Sequence, residues 1–231
     1  MSVYLESLTD KSVIDYQTSF NQSKPFVCFD RLTMGMSSLG FHQNAGEHRG
    51  LDFKLYRDYV LKRLGISPRI SCDEFTVLIH EKKGRRSVLN LEEVTEHLKK
   101  ELPLAHKIPV NISLVTLDAL TASEMLQTVS NADVFLSAGG SALFNAIMMH
   151  DGSVIIGNTL WGGRKDLFDS EFRILSHVPY ILYQIHPLKS EQVNMEKGGS
   201  TWDVQESLTE LRRAIQYSYE YKKKYYCPSW I

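Results

Sequence analysis

From residue 51 onward, short apolar runs rich in β-formers alternate with helix-like stretches, and this rhythm constrains the fold more than any other feature of the chain. EFTVLIHE (74–81), VNISLVTL (110–117), DVFLSAGG (133–140), SVIIGN (153–158) and YILYQI (180–185) read as buried strands. Apolar and β-branched runs of this length, bounded by turn residues, suit strands covered on both faces. The intervening segments carry helix signals. LDFKLYRDYVLKRL (51–64) sets Leu51, Leu55, Tyr59 and Leu61 near helical spacing, with Gly65 as a stop. Asn90 stands at the N-cap of LEEVTEHLKKEL, with Glu93 three residues on and lysines in the last turn. Thr121 and Glu124 form a capping box for a helix reaching about Ala132, and SALFNAIMM (141–149) reads as a buried helix. Asp203, with Glu206 at the box position, caps a long amphipathic helix ending near Tyr225. Strands alternating with helices at short spacing imply an α/β fold, a parallel sheet with helices on both faces.

The first 50 residues do not keep the rhythm and read as a remnant or edge of another lobe, leaving 51–231 as the main domain. Residues 159–179 are less regular, and 186–202 read as a loop. At roughly 100–200 residues per domain, 231 residues exclude two complete nucleotide-binding domains. A formal net charge of -1 gives no electrostatic reason to expect nucleic acid or an anionic membrane as partner. No apolar run approaches the length of a membrane span, and MSVYLESLTDKS lacks the basic-then-apolar pattern of a signal peptide. On these grounds the chain reads as soluble and cytoplasmic. Cys28, Cys72 and Cys227 are too few and scattered for a disulfide scaffold or zinc site, and an odd count leaves at least one thiol unpaired in a monomer. Two N-x-S sequons, at Asn21 and Asn111, matter only in a chain that enters a secretory lumen.

Ligands of open parallel sheets bind beyond the carboxyl ends of the strands, where helix N-termini offer free N–H groups. Two places fit. Gly139 and Gly140, followed by Ser141, separate a strand from its helix; glycines let the backbone approach an anion, and the Ser141 hydroxyl and helix N-terminus suit a phosphate. A tight turn with no ligand explains the same residues. Arg85 and Arg86, with Asn90, lie between a strand and the next helix and suit bidentate capture of a diphosphate, although a solvated basic loop also accounts for Lys82, Lys83, Arg85 and Arg86 together. Asn145, one turn into the helix after the glycines, faces either core or ligand. His80 reads as a hydrogen-bonded structural histidine, His97 as solvated, Glu92 and Glu93 as partners of a helix dipole, and lysines 222–224 as partners of the last helix's negative end. No residue stands out as a general base.

The ordered blocks LYRDYVLKRLGI, TVLIHEKKGRRSVLNLEEV, SNADVFLSAGGSALFNAIMM and SVIIGN resemble glycosyltransferase family 61, from Val27-Cys28-Phe29 to the last helix. That family includes enzymes adding N-acetylglucosamine to EGF-domain hydroxyls or to O-mannose, and plant xylosyltransferases. The resemblance implies the Rossmann-like C-terminal lobe of a GT-B-type enzyme, which moves a sugar from a UDP-sugar to a hydroxyl of a glycan or protein with inversion. It implies that Arg86 and Asn90 hold the nucleotide diphosphate, that Gly140 lies in the family's His-Gly-Ala turn with Ser141 in the alanine place, and that no metal is needed. Relatives are mostly lumenal. The chain departs from the pattern where the family's histidine falls on Gly139, its upstream arginine on His80 or Glu81, and its acidic residue near Ile156. Each lost charge-assisted hydrogen bond is worth about 1.5–3 kcal/mol. These departures frame the alternative, a non-catalytic glycosyltransferase-like protein with a degenerate donor site that acts as a binding or structural module.

Overall fold

A computed structural model describes residues 50–230, apart from 85–86, 159–174, 176–177, 187 and 195. The expectation for residues 1–50 therefore falls almost wholly outside the described residues, as does most of the irregular stretch 159–179. The chain runs α1 (Gly50–Arg63), β1 (Phe75–His80), β2 (Ser87–Val88), α2 (Leu91–Glu101), β3 (Leu104–Ala105), β4 (Ile108–Val115), α3 (Ala122–Ser130) and β5 (Val134–Ser137). A 3-10 helix over Ser141–Met148 leads to β6 (Ser153–Asn158), and β7 (Ile181–His186) follows. The small strands β8 (Val193–Asn194) and β9 (Gly199–Ser200) precede α4 (Val204–Tyr225).

The main sheet has the order β3-β4-β1-β5-β6-β7, parallel throughout except for β3, which meets β4 antiparallel at one edge. Alternation along the strands divides two cores. Phe75, Val77, Ile79, Val134, Leu136, Val154 and Ile156 face α2 and α4. Leu78, Phe135, Ile155 and Ile181 face α3 and the 3-10 helix, through Val129, Leu143 and Ala146. The molecule is thus mixed α/β, with a largely parallel sheet between helical layers.

Several local expectations meet a different outcome. In α1 the inward face is Arg57, Val60 and Leu61, while Leu55 and Tyr59 are 60% and 45% exposed. The buried arginine is held by Asp58 and Asp151 and lies over the Tyr180 ring, which satisfies a charge that hydrophobic spacing would have turned outward. Ser141–Met148 is 3-10 rather than α-helical. Lys222 does not serve the end of α4 in solvent; its side chain is fully buried. Its Nζ donates to Asp133 Oδ1 at 2.9 Å and to the Glu74 carbonyl at 3.3 Å. Cys72 and Cys227, 155 residues apart, form a disulfide that ties the approach to β1 to the end of α4. Cys28 lies outside the described residues.

Candidate functional site

Strand β1 is flanked by β4 on one side and β5 on the other, and the chain winds away from it in opposite directions. In open α/β sheets such a switch point opens a crevice beyond the carboxyl ends of the two central strands. Here those ends are His80 and Ser137, paired in register. Their side chains meet: His80 Nδ1 lies 3.1 Å from Ser137 Oγ, and both residues are buried. The His80 ring stacks on Phe135 at 6.2 Å. Burial pushes the His80 imidazole below its ordinary pKa and Lys82 adds to this, against Asp118 and Glu81. The ring is therefore neutral near pH 7, and its Nε2 has no hydrogen-bond partner among the described residues. The expectation of a hydrogen-bonded histidine is met, and the pair stands at the carboxyl ends of the two central strands.

After Ser137, Gly139 (φ 99) and Gly140 (φ 92, ψ -169) turn the chain from β5 into the 3-10 helix. Gly140 occupies a region open essentially to glycine alone. Both glycines are buried, and Lys82 Nζ donates to the Gly139 carbonyl at 3.3 Å, bringing a cation to the turn. Ser141 opens the 3-10 helix, whose first N–H groups have no partner within it. Asn145 is half-buried one turn further on. A Cβ-free turn, N–H groups unpaired within the helix and an adjacent ammonium together suit an anionic oxygen.

The other expected residues divide. Arg85 and Arg86 lie outside the described residues. Asn90 makes no side-chain cap to α2. Instead it brackets Trp202, donating from Nδ2 to the Trp202 carbonyl at 3.0 Å and accepting from the Trp202 N–H at 2.9 Å. That clamp draws the start of α4 against the start of α2, beside the small sheet in which Ser87–Val88 runs parallel to Gly199–Ser200. Gly199 is needed there, because a Cβ would stand 2.7 Å from Leu89 Cδ2 and 2.8 Å from the Ser87 carbonyl. Ile156 is a core residue within β6, between Leu136 and Gln184, so an acid at that position would face the α2–α4 core and not the crevice.

Sequence reasoning passed over a polar group at the carboxyl end of β7. His186 is fully buried 4.9 Å from the Trp202 ring. Neither ring nitrogen of His186, nor Trp202 Nε1, nor Ser200 Oγ has a hydrogen-bond partner among the described residues. Burial lowers the His186 pKa to about 4 against a weak opposing pull from Asp203. No motif marks this group; the only signal was a histidine directly after the last expected strand, where the loop 186–202 was read to begin. A separate cavity of about 480 Å³, bordered by Arg57, Asp58, His150, Asp151 and Tyr226, opens at the opposite end of the sheet. Among the described residues no cluster of three or more His, Cys, Asp or Glu is placed to hold a metal ion, and no helix is long and apolar enough to cross a membrane.

The fold defines a mixed α/β protein built on a largely parallel sheet. The family model Glycosyltransferase 61 matches residues 12–156 of the 231, more than half of the chain, and the chain belongs to glycosyltransferase family 61. The match spans β1, the glycine turn and most of β6, and begins well before α1. No curated protein matches the chain significantly.

Proposed function

We propose that the chain transfers a sugar, N-acetylglucosamine or a pentose, from a UDP-sugar to a hydroxyl of a glycan or protein, with inversion at the anomeric carbon. The observation that carries the reading is the Gly139–Gly140 turn at the β1/β5 switch point, with Lys82 against it. In this reading the diphosphate lies over that turn. N–H groups at Ser141 and beyond take its oxygens, and the guanidinium groups of Arg85 and Arg86 add positive charge to its binding. Asn90 acts by fixing the loop that carries Trp202. A glycosyl transfer must stabilise charge on the departing diphosphate, and cations with preorganised N–H groups supply this without a metal. Added chelator is accordingly expected to leave transfer unchanged.

Calorimetric titration with UDP and UDP-N-acetylglucosamine tests the proposal. Binding below millimolar is expected, weakened in Arg86→Ala by about 10- to 100-fold, the worth of one charge-assisted hydrogen bond. Wild-type protein silent at millimolar nucleotide would sink the reading.

A second reading, a binding or structural module with a degenerate donor site, is favoured by one observation. The position that takes the family's histidine is Gly139, at φ 99, where an L side chain is strained by about 1–3 kcal/mol. Gly139→His is therefore expected to cost stability rather than to restore a site. His80→Arg, at the buried carboxyl end of β1, is the more informative restoration. A UDP affinity that appears only in His80→Arg would establish the second reading.

A further inference from the structure

We propose that Asn111 is an N-glycosylation site. Two independent observations meet here. The first is the Cys72–Cys227 disulfide, a bond that persists where thiols are not kept reduced. The second is the setting of the sequon Asn111-Ile112-Ser113 on β4. Strand alternation turns Ile112 into the core at 6% exposure and leaves the Asn111 side chain exposed. Ser113 shares the face of Asn111, its hydroxyl directed at Asn111 Oδ1 at 3.5 Å. The acceptor amide and the hydroxyl two residues on thus face outward together, and a sugar on Nδ2 displaces nothing from the core.

The position also explains what a glycan would do. On its outer side β4 pairs with β3 only at Pro109 and Ile108. From Asn111 to Val115 its outer edge has no strand partner among the described residues, and Leu104 and Leu114 beside it are 57% and 37% exposed. An open edge with apolar neighbours is a template for pairing with another chain. A hydrated oligosaccharide at Asn111 blocks that approach sterically.

The modification is a group transfer from a lipid-diphosphate-linked oligosaccharide, carried out by the host's oligosaccharyltransferase. Asn111 Nδ2 attacks the anomeric carbon. A C–N bond forms, the C–O bond to the diphosphate breaks, Nδ2 gives up one proton and the lipid diphosphate departs.

The test uses the full chain isolated from the cells that make it. Non-reduced peptides are treated with peptide-N-glycosidase in heavy-oxygen water. The expected result is Asn111 recovered as heavy-oxygen-labelled aspartate, with Cys72 and Cys227 in one cross-linked peptide. Unmodified Asn111 as the main form, or Cys72 and Cys227 recovered as free thiols, overturns the proposal. Ser113→Ala is expected to abolish the label with Asn111 intact and Ser113→Thr to keep it, so the outcome does not hang on folding of Asn111→Gln. Asn111→Gln, lacking the glycan, is expected to aggregate faster while binding UDP as the wild type does. The glycan proposal thus stands or falls apart from the donor site.

Discussion

Asp133 organises the amino-terminal end of the sheet. One carboxylate oxygen accepts from Lys222 Nζ at 2.9 Å and lies 3.3 Å from His150 Nε2, and the other accepts from the Thr76 N–H at 2.8 Å. Lys222 also lies over the rings of Phe75 and Trp230. Removing one partner strands a buried charge, so Lys222→Ala is expected to cost about 3–5 kcal/mol in urea unfolding. Replacing both, as Lys222→Met with Asp133→Leu, is expected to cost less than the two single changes summed. His186 sets a pH dependence. Its folded pKa, about 4, lies below the unfolded value of 6.5, so the unfolded chain binds the extra proton between these values. Stability is full above pH 6.5 and is lost as pH falls from there to 4, by roughly 3 kcal/mol in all. His186→Phe is expected to flatten that slope in unfolding curves taken across the range; an unchanged slope would place the titration elsewhere. None of these partnerships was legible in the sequence, because Lys222 and Asp133 are brought together only by the fold. A lysine in the last turn of a helix reads equally well as a solvated one.

The elements themselves were far more legible, because their signals are local. Thr121 and Glu124 form the full reciprocal capping box, and Asp203 accepts from the Glu206 N–H at 2.8 Å, as their spacing implies. β6 falls on the residues expected, and β1, β4, β5 and β7 differ from expectation by a few residues at their ends. Local signals failed where a distant partner decided the outcome. Asn90 has the composition of a cap, yet Trp202 offers its side chain both a donor and an acceptor. In α1, Asp58 and Asp151 draw Arg57 inward and thereby rotate the helix's apolar face. The disulfide is the extreme case, since a separation of 155 residues leaves no spacing pattern to read. Its closure of so long a loop predicts a loss of about 5 kcal/mol for Cys72→Ser with Cys227→Ser in the chain-entropy model. Urea unfolding with and without reductant checks this; equal midpoints would show that the packing of α4, through Leu208, Leu211 and Ile215, holds the terminus without the bond.

Across the whole molecule, parallel pairing segregates two kinds of residue. Every parallel strand points its carboxyl end toward the glycine turn, His80, Ser137 and Lys82, and its amino end toward Asp133, His150, Lys222 and the disulfide. The first group holds buried glycines at positive φ and a histidine nitrogen without a partner among the described residues, features that add nothing to stability. The second holds the buried Lys222–Asp133 ion pair and a covalent tie. A ligand end and an anchoring end separated by the length of a strand should respond independently, since changes with no shared partners add. Lys82→Met is therefore expected to weaken UDP binding about tenfold with little change in unfolding free energy, the reverse of Lys222→Met. The double variant should show both losses unaltered, within about 0.5 kcal/mol in each measurement. A Lys222→Met protein that is folded at the working temperature yet binds nucleotide tenfold more weakly would contradict this separation. It would mean that the sheet transmits strain from Asp133 along β5 to the glycine turn, and that the anchoring end helps to shape the site.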